Sequence, residues 1–272
     1  MVRFISPVVG AGFVFALLLG LFGSLKGVIY DPAAPSAAEE FHLAPKELAL
    51  ASNGMAGNFD YRQVQRGFQV YKEVCSACHS LTHVAFRDLT KIGYSEAEVK
   101  KVAADWGAKQ SVQDPKSGDR TDRDNLPADH FPKVYYPGQG VPPDLSLITK
   151  ARHDGPAYVY SLLTGYAEQP AELLKKFPDA KTPDGLYYNP YFPTLNLAMP
   201  APLVSDGQVT YADGTASTVK QNAADVAAFL VWAAEPELAT RHATGFATLI
   251  FLIIGTMFAY GAYRTVWRNV KH

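Results

Sequence analysis

Two cysteines occur in this 272-residue chain, three positions apart and with a histidine directly behind the second: Cys75-Ser76-Ala77-Cys78-His79. Two thiols at that spacing can both add to the vinyl groups of one haem while the adjacent imidazole reaches its iron, the pattern of covalent c-type haem attachment. A zinc site would need a second Cys/His pair, and the sequence has none. Cys75 and Cys78 are therefore expected to anchor a single haem c, with His79 as its proximal iron ligand.

An imidazole on one side of the iron leaves a sixth position, which fast electron carriers of this type fill with a methionine thioether. Of four methionines, Met1 starts the chain, Met55 lies in a polar stretch before the haem motif and Met257 lies inside an apolar run. Met199 alone follows the motif by roughly 120 residues in a proline-stiffened segment, Ala198-Met199-Pro200-Ala201-Pro202-Leu203, where helix is forbidden and a side chain can be held at fixed distance. Met199 is the expected sixth ligand. His42, His83, His130, His153 and His242 are the competing donors.

The elements that must position these groups are mainly helical. Tyr61 to Val74 carries Val64, Phe68, Tyr71 and Val74 or Cys75 at spacings of three and four, so an amphipathic helix leads straight into the haem motif. A second helix is expected from Thr218, where Thr218-Val219-Lys220-Gln221 reads as a capping box, through Val226, Phe229, Leu230 and Trp232 to a stop before Pro236. Between them lies a long middle rich in Pro, Gly, Tyr and Asp, with short helices expected at 95–106 and 156–163. A small hairpin is expected where Val209-Thr210-Tyr211 and Ala216-Ser217-Thr218 flank Ala212-Asp213-Gly214-Thr215. The layout implies a mainly α, class I cytochrome c-like haem domain with long irregular insertions and no internal repeat.

Two uncharged apolar runs, Phe4–Leu25 and Ala243–Tyr263, are each about 21 residues, enough to cross a hydrocarbon core. The second has no proline, has Gly245, Gly255 and Gly261 for close helix contact, and is followed by Arg264, Arg268 and Lys271, a cytoplasmic-side flank. The first reads either as a secretory signal or as an uncleaved signal-anchor. The expected organisation is thus a signal peptide or signal-anchor at 1–26, an exported haem domain at 27–242, a transmembrane helix at 243–263 and a cytoplasmic tail at 264–272. Export agrees with the chemistry, because c-type haem attachment is completed on the outer face of the membrane. Residues 27–242 hold all 26 acidic but only 20 basic side chains, a formal charge of −6 that the whole-chain value of −1 conceals. That sum would favour a basic soluble partner. Nucleic acid is disfavoured, because no basic patch interleaved with aromatics occurs.

Further blocks carry a more specific signal: Arg66-Gly67-Phe68-Gln69-Val70-Tyr71-Lys72-Glu73-Val74, Pro142-Pro143-Asp144-Leu145-Ser146, Ser161-Leu162-Leu163-Thr164-Gly165-Tyr166, Tyr188-Asn189-Pro190-Tyr191-Phe192, the methionine segment, and Trp232-Ala233-Ala234-Glu235-Pro236 before the second apolar run. In this order, over most of residues 60–268, the sequence resembles the cytochrome c1 family of bacterial type, the haem subunit of ubiquinol-cytochrome c oxidoreductase (the cytochrome bc1 complex).

The resemblance implies a haem pocket and a task. Cys75 and Cys78 would hold the thioethers, His79 and Met199 would ligate iron, Arg152 would pair with a haem propionate, and Pro142, Pro143, Leu145, Ile148, Tyr158 and Phe192 would wall the ring. An Arg fork suits a carboxylate, and apolar walls raise a haem's reduction potential. The task implied is respiratory electron transport without bond-making catalysis by this chain, from a Rieske iron–sulfur protein to a soluble or membrane-bound cytochrome c. It would be carried out beside cytochrome b in a dimeric complex of the bacterial inner membrane, with the haem domain on the periplasmic side. Two departures stand out. The loop from Phe131 to Val141 is shorter than in related chains and lacks their Asn-rich stretch, and two cysteines leave no room for the extra disulfide of some bacterial members. The rival classes are a stand-alone membrane-anchored cytochrome, for which the middle region is too large and a Gly/Ala/Pro-rich tether is missing, and a haem sensor with an open sixth position.

Overall fold

The computed structural model describes residues 2–30, 34–138 and 140–270 and falls into two units divided between Phe41 and His42. Met1, Gln139, Lys271 and His272, which the sequence reading touched, lie outside the described residues.

The first unit holds α1, Val2–Tyr30, and α2, Ala37–Phe41. Helix α1 starts two residues earlier than the apolar run, so Pro7 lies beyond its first turn. Its span Phe4–Tyr30 has a mean hydropathy of 2.3 and is long and apolar enough to cross a membrane. Helix α2 is opened by a reciprocal cap, in which Ser36 N–H donates to Glu39 at 2.6 Å and Glu39 N–H to the Ser36 hydroxyl at 3.3 Å.

In the second unit α3, Tyr61–Val70, is started by Asp60, whose carboxylate accepts from the N–H groups of Arg62 and Gln63. The chain then widens into one π-helical turn, Tyr71–Cys75. A 3₁₀ segment at Phe86–Ile92 and α4, Glu96–Ala104, follow. The exposed strands β1, Gln110–Gln113, and β2, Arg120–Arg123, pair antiparallel with Gln110 opposite Arg123. After them come α5 (Ile148–Ala151), α6 (Gly155–Leu163) and α7 (Ala171–Lys176), then the short pair β3 (Tyr187–Tyr188) and β4 (Asn196–Leu197). The chain finishes with α8, Val219–Ala234, and α9, Leu238–Trp267.

The frame is the crossing of α3 on α8. Gly67 makes it possible: a Cβ there would lie 2.0 Å from the carbonyl oxygen of Asp225, so only a residue without a side chain allows this approach. Beside it Arg66 reaches across to the wholly buried Asp225 at 2.9 Å and to Asp213 at 2.9 Å. Helix α8 is buried nearly all round because α5 and α6 cover the side that α3 leaves open. Around the crossing an aromatic core interdigitates, with ring centroids 5.5 Å apart for Phe68 and Phe229, 5.6 Å for Tyr71 and Phe229, and 4.8 Å for Trp106 and Phe131.

One expected element does not form. Residues 209–218 contain no strand; Tyr211 instead inserts as a buried side chain whose hydroxyl donates to Asn222 at 2.8 Å, and Asp213 caps its own turn by accepting from Thr215 N–H at 3.0 Å. Both flanks are drawn onto α8 rather than onto each other. The cap at Thr218 is half of what the motif promised: its hydroxyl accepts from Gln221 N–H at 3.1 Å, but the Gln221 amide donates to Asp225 at 2.8 Å.

Candidate functional site

The π-helical turn sets the geometry of the attachment segment. By inserting one extra residue before Ser76, whose N–H reaches back to Tyr71 O at 2.8 Å, it sets the direction in which the attachment segment leaves α3, with Cys75 still packed against the core. The carbonyl of Cys75 then accepts from both Cys78 N–H at 3.1 Å and His79 N–H at 2.9 Å, folding the two thiols and the imidazole onto a single turn. Burial pushes the Cys75 thiol up to about 12, with Cys78 adding to the shift, so it is held as S–H.

His79 is oriented through its other ring nitrogen. Nδ1 lies 2.8 Å from the carbonyl oxygen of Pro143, which can only accept, so the proton resides on Nδ1 and the lone pair of Nε2 is free for a metal. Burial lowers the imidazole's pKa, against the opposing pull of the Pro143 carbonyl and Asp144, and so keeps the ring neutral. Pro143 is fixed in turn by a lattice of bonds between residues 80–83 and 144–146. Leu145 N–H donates to Ser80 O at 2.9 Å, Thr82 gives its N–H and hydroxyl to Asp144 at 2.9 and 2.7 Å, and His83 N–H reaches Ser146 at 3.1 Å. Burial would raise the Asp144 carboxyl, but these donors outweigh it and hold it below the usual carboxylate range.

Of the expected wall residues, Leu145, Ile148 and Tyr158 are buried, Pro142 and Phe192 are half-buried and Pro143 is exposed. Arg152 is exposed at the end of α5, its guanidinium 3.2 Å from Ala151 O and close enough to lower the phenol of Tyr158 against the rise that burial imposes. Met199 is half-buried. Its carbonyl accepts from the hydroxyl of Tyr166 at 3.0 Å, and burial beside the phenols of Tyr158 and Tyr187 holds that hydroxyl protonated as the donor. In the sequence Tyr166 stands only at the end of the Ser161–Tyr166 block, and nothing in its spacing marks it as the residue that holds the methionine loop.

The two expected ligands are joined by one short segment. At its far end Pro143 holds His79, and at its near end Gly140, at φ +80°, faces Ala198 with 4.0 Å between the methyl of Ala198 and an ideal Cβ. Three residues of chain span at most about 10 Å, so the neighbour of Met199 and the partner of His79 are held at the two ends of that length. Among the described residues no group of three or more His, Cys, Asp or Glu gathers to hold a bare ion. Two thiols, one imidazole with a free Nε2 and a thioether loop across a short bridge suit a metal that arrives inside its own ring of nitrogens: the arrangement fits haem. Two of the competing histidines are committed elsewhere, His130 to Thr82 O at 2.8 Å and His242 to Gly57 O at 2.9 Å.

This geometry is that of a c-type haem protein. The family model described as Cytochrome C1 family matches residues 50–270. Cytochrome c1 of Rhodospirillum rubrum is 42% identical over 236 residues, 80% of this chain and 86% of that protein. A cytochrome c1 heme protein of Arabidopsis thaliana mitochondria is 37% identical over 263 residues, 93% and 82% of the two chains. A protein of Bradyrhizobium diazoefficiens named cytochrome b/c1 is 42% identical over 239 residues, 79% of this chain but 34% of that longer one. The chain belongs to the Cytochrome C1 family.

Proposed function

We propose that this chain carries single electrons from a Rieske iron–sulfur protein to a soluble or membrane-bound cytochrome c, as a subunit of ubiquinol-cytochrome c oxidoreductase. The observation that carries the reading is the His79–Pro143 bond at 2.8 Å, which commits Nδ1 as donor and leaves Nε2 directed to a metal. Haem c, when bound, supplies a one-electron couple. Cys75 and Cys78 would tether it, His79 and Met199 would ligate its iron, Arg152 would meet a propionate, and Pro142, Pro143, Leu145, Ile148, Tyr158 and Phe192 would wall it from water, which would favour the reduced state. No residue here needs to act as acid or base; the complex as a whole is the enzyme.

Assembly with cytochrome b is supported by the joined name of the Bradyrhizobium relative, of which this chain matches one part. A relative in Candida albicans is named a catalytic subunit of the mitochondrial cytochrome b-c1 complex, and a dimeric complex is the assembly we infer. Helix α9 extends from Leu238 to Trp267, and its side chains beyond the first turns are exposed, so it serves as the membrane anchor. Arg264 and Arg268 at its end support a cytoplasmic tail, with residues 27–242 on the periplasmic side of the bacterial inner membrane and residues 1–26 as a signal peptide or signal-anchor.

The test is gentle solubilisation of membranes followed by isolation of the haem-bearing chain. A b-type cytochrome and an iron–sulfur subunit should co-purify, and ubiquinol should reduce the haem. Met199→Leu should keep the covalent haem, lower its potential steeply and let the reduced form bind carbon monoxide. An unchanged potential would assign the sixth position to another residue.

A further inference from the structure

Between Glu47 and Asp60 the chain carries no charged residue, and this stretch, Leu48 to Phe59, makes a loop fastened to the domain at both ends. Leu48 packs against the core and Phe59 belongs to it. Between them the backbone closes on itself. Asn53 N–H donates to Leu50 O at 3.0 Å, Gly57 N–H to Gly54 O at 3.2 Å and Asn58 N–H to Ala51 O at 2.9 Å, while the Asn53 amide donates to Leu48 O at 2.9 Å. These bonds leave Met55 at the tip, 83% exposed. One exposed apolar side chain is ordinary; what sets this one apart is where its loop is tied. Nδ1 of His242, in the second turn of α9, donates to the carbonyl of Gly57 at 2.9 Å. His242 directly precedes the uncharged run Ala243–Tyr263. At the far end of that run Tyr260, Tyr263 and Trp267 stand against one another with ring centroids 6.4 and 6.2 Å apart, an aromatic group of the kind that sits at headgroup level. At 1.5 Å per residue the run spans about 30 Å, the thickness of a hydrocarbon core. Its two ends are thus the two edges of that core. The bond to His242 sets Gly57 at one edge, and Met55, two residues away, lies within about 7 Å of it.

We infer that the loop from Ala51 to Gly57 is a second membrane contact, which sets Met55 and Ala56 into the headgroup layer of the lipid beside α9. The inference rests on the reading of α9 as the membrane anchor. The chemistry of the loop suits lipid. With no charge between Leu48 and Phe59, no ion has to leave water when the tip enters the interface. Its backbone bonds are largely made within the loop, so the polar groups that would be costly at that depth are already paired. The unbranched thioether of Met55 adapts to an irregular surface of acyl chains and headgroups, and the patch continues the exposed side of a helix already read as lipid-facing. The consequence is mechanical. A domain on a single helix can swivel and tilt about it, whereas a domain that also rests on a loop bonded to that helix keeps one height and one orientation over the bilayer.

The experiment uses the full chain with its haem attached, in nanodiscs of phosphatidylcholine and phosphatidylglycerol, with one added cysteine at a time: Met55→Cys, Ala56→Cys, Lys116→Cys or Ile253→Cys. Lys116 stands exposed in the charged turn between β1 and β2 and is the water-facing reference; Ile253 lies midway along the apolar run of α9. Each thiol is timed with a charged methanethiosulfonate and with an uncharged lipophilic maleimide, and modification of this chain is read by mass. The ratio of charged to uncharged rates should be lower for Met55→Cys and Ala56→Cys than for Lys116→Cys by about tenfold or more, because a charged reagent enters the interface at a cost. Adding Met55→Asp to Ala56→Cys should return the ratio to the reference value, and adding Met55→Leu should not. Equal ratios for Met55→Cys and Lys116→Cys would overturn the inference. So would closure of Met55→Cys to both reagents, in this chain alone or in the purified complex in the same nanodiscs, since protein and not lipid would then cover the tip. Ile253→Cys separates the two claims: if the charged reagent reaches it freely, the anchor reading falls; if it is shielded while Met55→Cys reacts like the reference, only the loop contact does.

Discussion

The two sides of the haem site are held by different forces. On the attachment side, Cys75–His79 follow directly from α3, whose contact with α8 closes on Gly67 and encloses Phe68, Tyr71, Phe229 and Trp232 in a continuous aromatic core. On the methionine side, residues 187–203 form one two-residue strand pair and otherwise turns, fixed by single hydrogen bonds: Tyr166 to Met199 O, Asn189 to Leu162 O at 2.8 Å, and the Gln208 side chain to Pro202 O at 2.8 Å. This side also holds Leu195 at φ 64°, a left-handed conformation that costs a non-glycine residue about 1–2 kcal/mol and persists only because the side chain is buried at 3% exposure. The two thiols proposed to attach haem thus sit on the half built round the packed helix crossing, and Met199, the proposed iron ligand, on the half held by a few directed bonds.

Variants can break that contrast from the strongest side first. Arg66→Met leaves the wholly buried Asp225 carboxylate without its cation, although the Gln221 amide still donates to it, and should cost about 3–5 kcal/mol. Thermal unfolding of the full chain in detergent measures it, and adding Asp225→Leu should recover much of the loss, because replacing a buried pair by apolar groups is close to neutral. Equal instability of the single and double variants would show that packing, not the stranded charge, dominates there.

Gly67→Ala should come next. Its methyl would collide with Asp225 O at 2.0 Å, and separation of α3 from α8 should cost about 1–3 kcal/mol by the same measurement. The potential of the correctly attached haem should barely change, since the displaced helix end lies behind the attachment turn. A large shift in potential at unchanged stability would mean the two halves are mechanically coupled.

Tyr166→Phe should have the smallest effect on stability and the clearest on the methionine side. Losing the 3.0 Å bond to Met199 O removes about 1 kcal/mol of loop restraint. The melting temperature should hardly move, while the potential falls by much less than in Met199→Leu and the near-infrared methionine-to-iron band weakens. A potential equal to that of the parent would leave Tyr166 a packing residue.

Much of the attachment side was legible in sequence because its information is local. The CxxCH spacing, the i, i+3, i+4 stripe from Val64 to Tyr71 and the cap at Thr218 are each set by neighbours a turn away, and α3, α8, α4 and α6 formed where the pattern placed them. The π-helical turn was not legible, because widening a helix by one residue depends on where its end must aim and not on propensity. The hairpin expected at 209–218 failed for the same reason: Tyr211 and Ser217 found partners on Asn222 of α8, a preference no local alternation records. Strands β1 and β2 escaped notice because their residues, Val112 apart, are polar and mostly exposed, leaving only the Asp114-to-Gly118 turn as a signal.

By itself the sequence determined the haem chemistry, the membrane-length helices and the family, since each is written in residue type and short spacing. Tertiary structure decided which ring nitrogen of His79 is free, because the Pro143 carbonyl that fixes the proton comes from 64 residues away. It also decided what holds Met199, because Tyr166 lies 33 residues upstream.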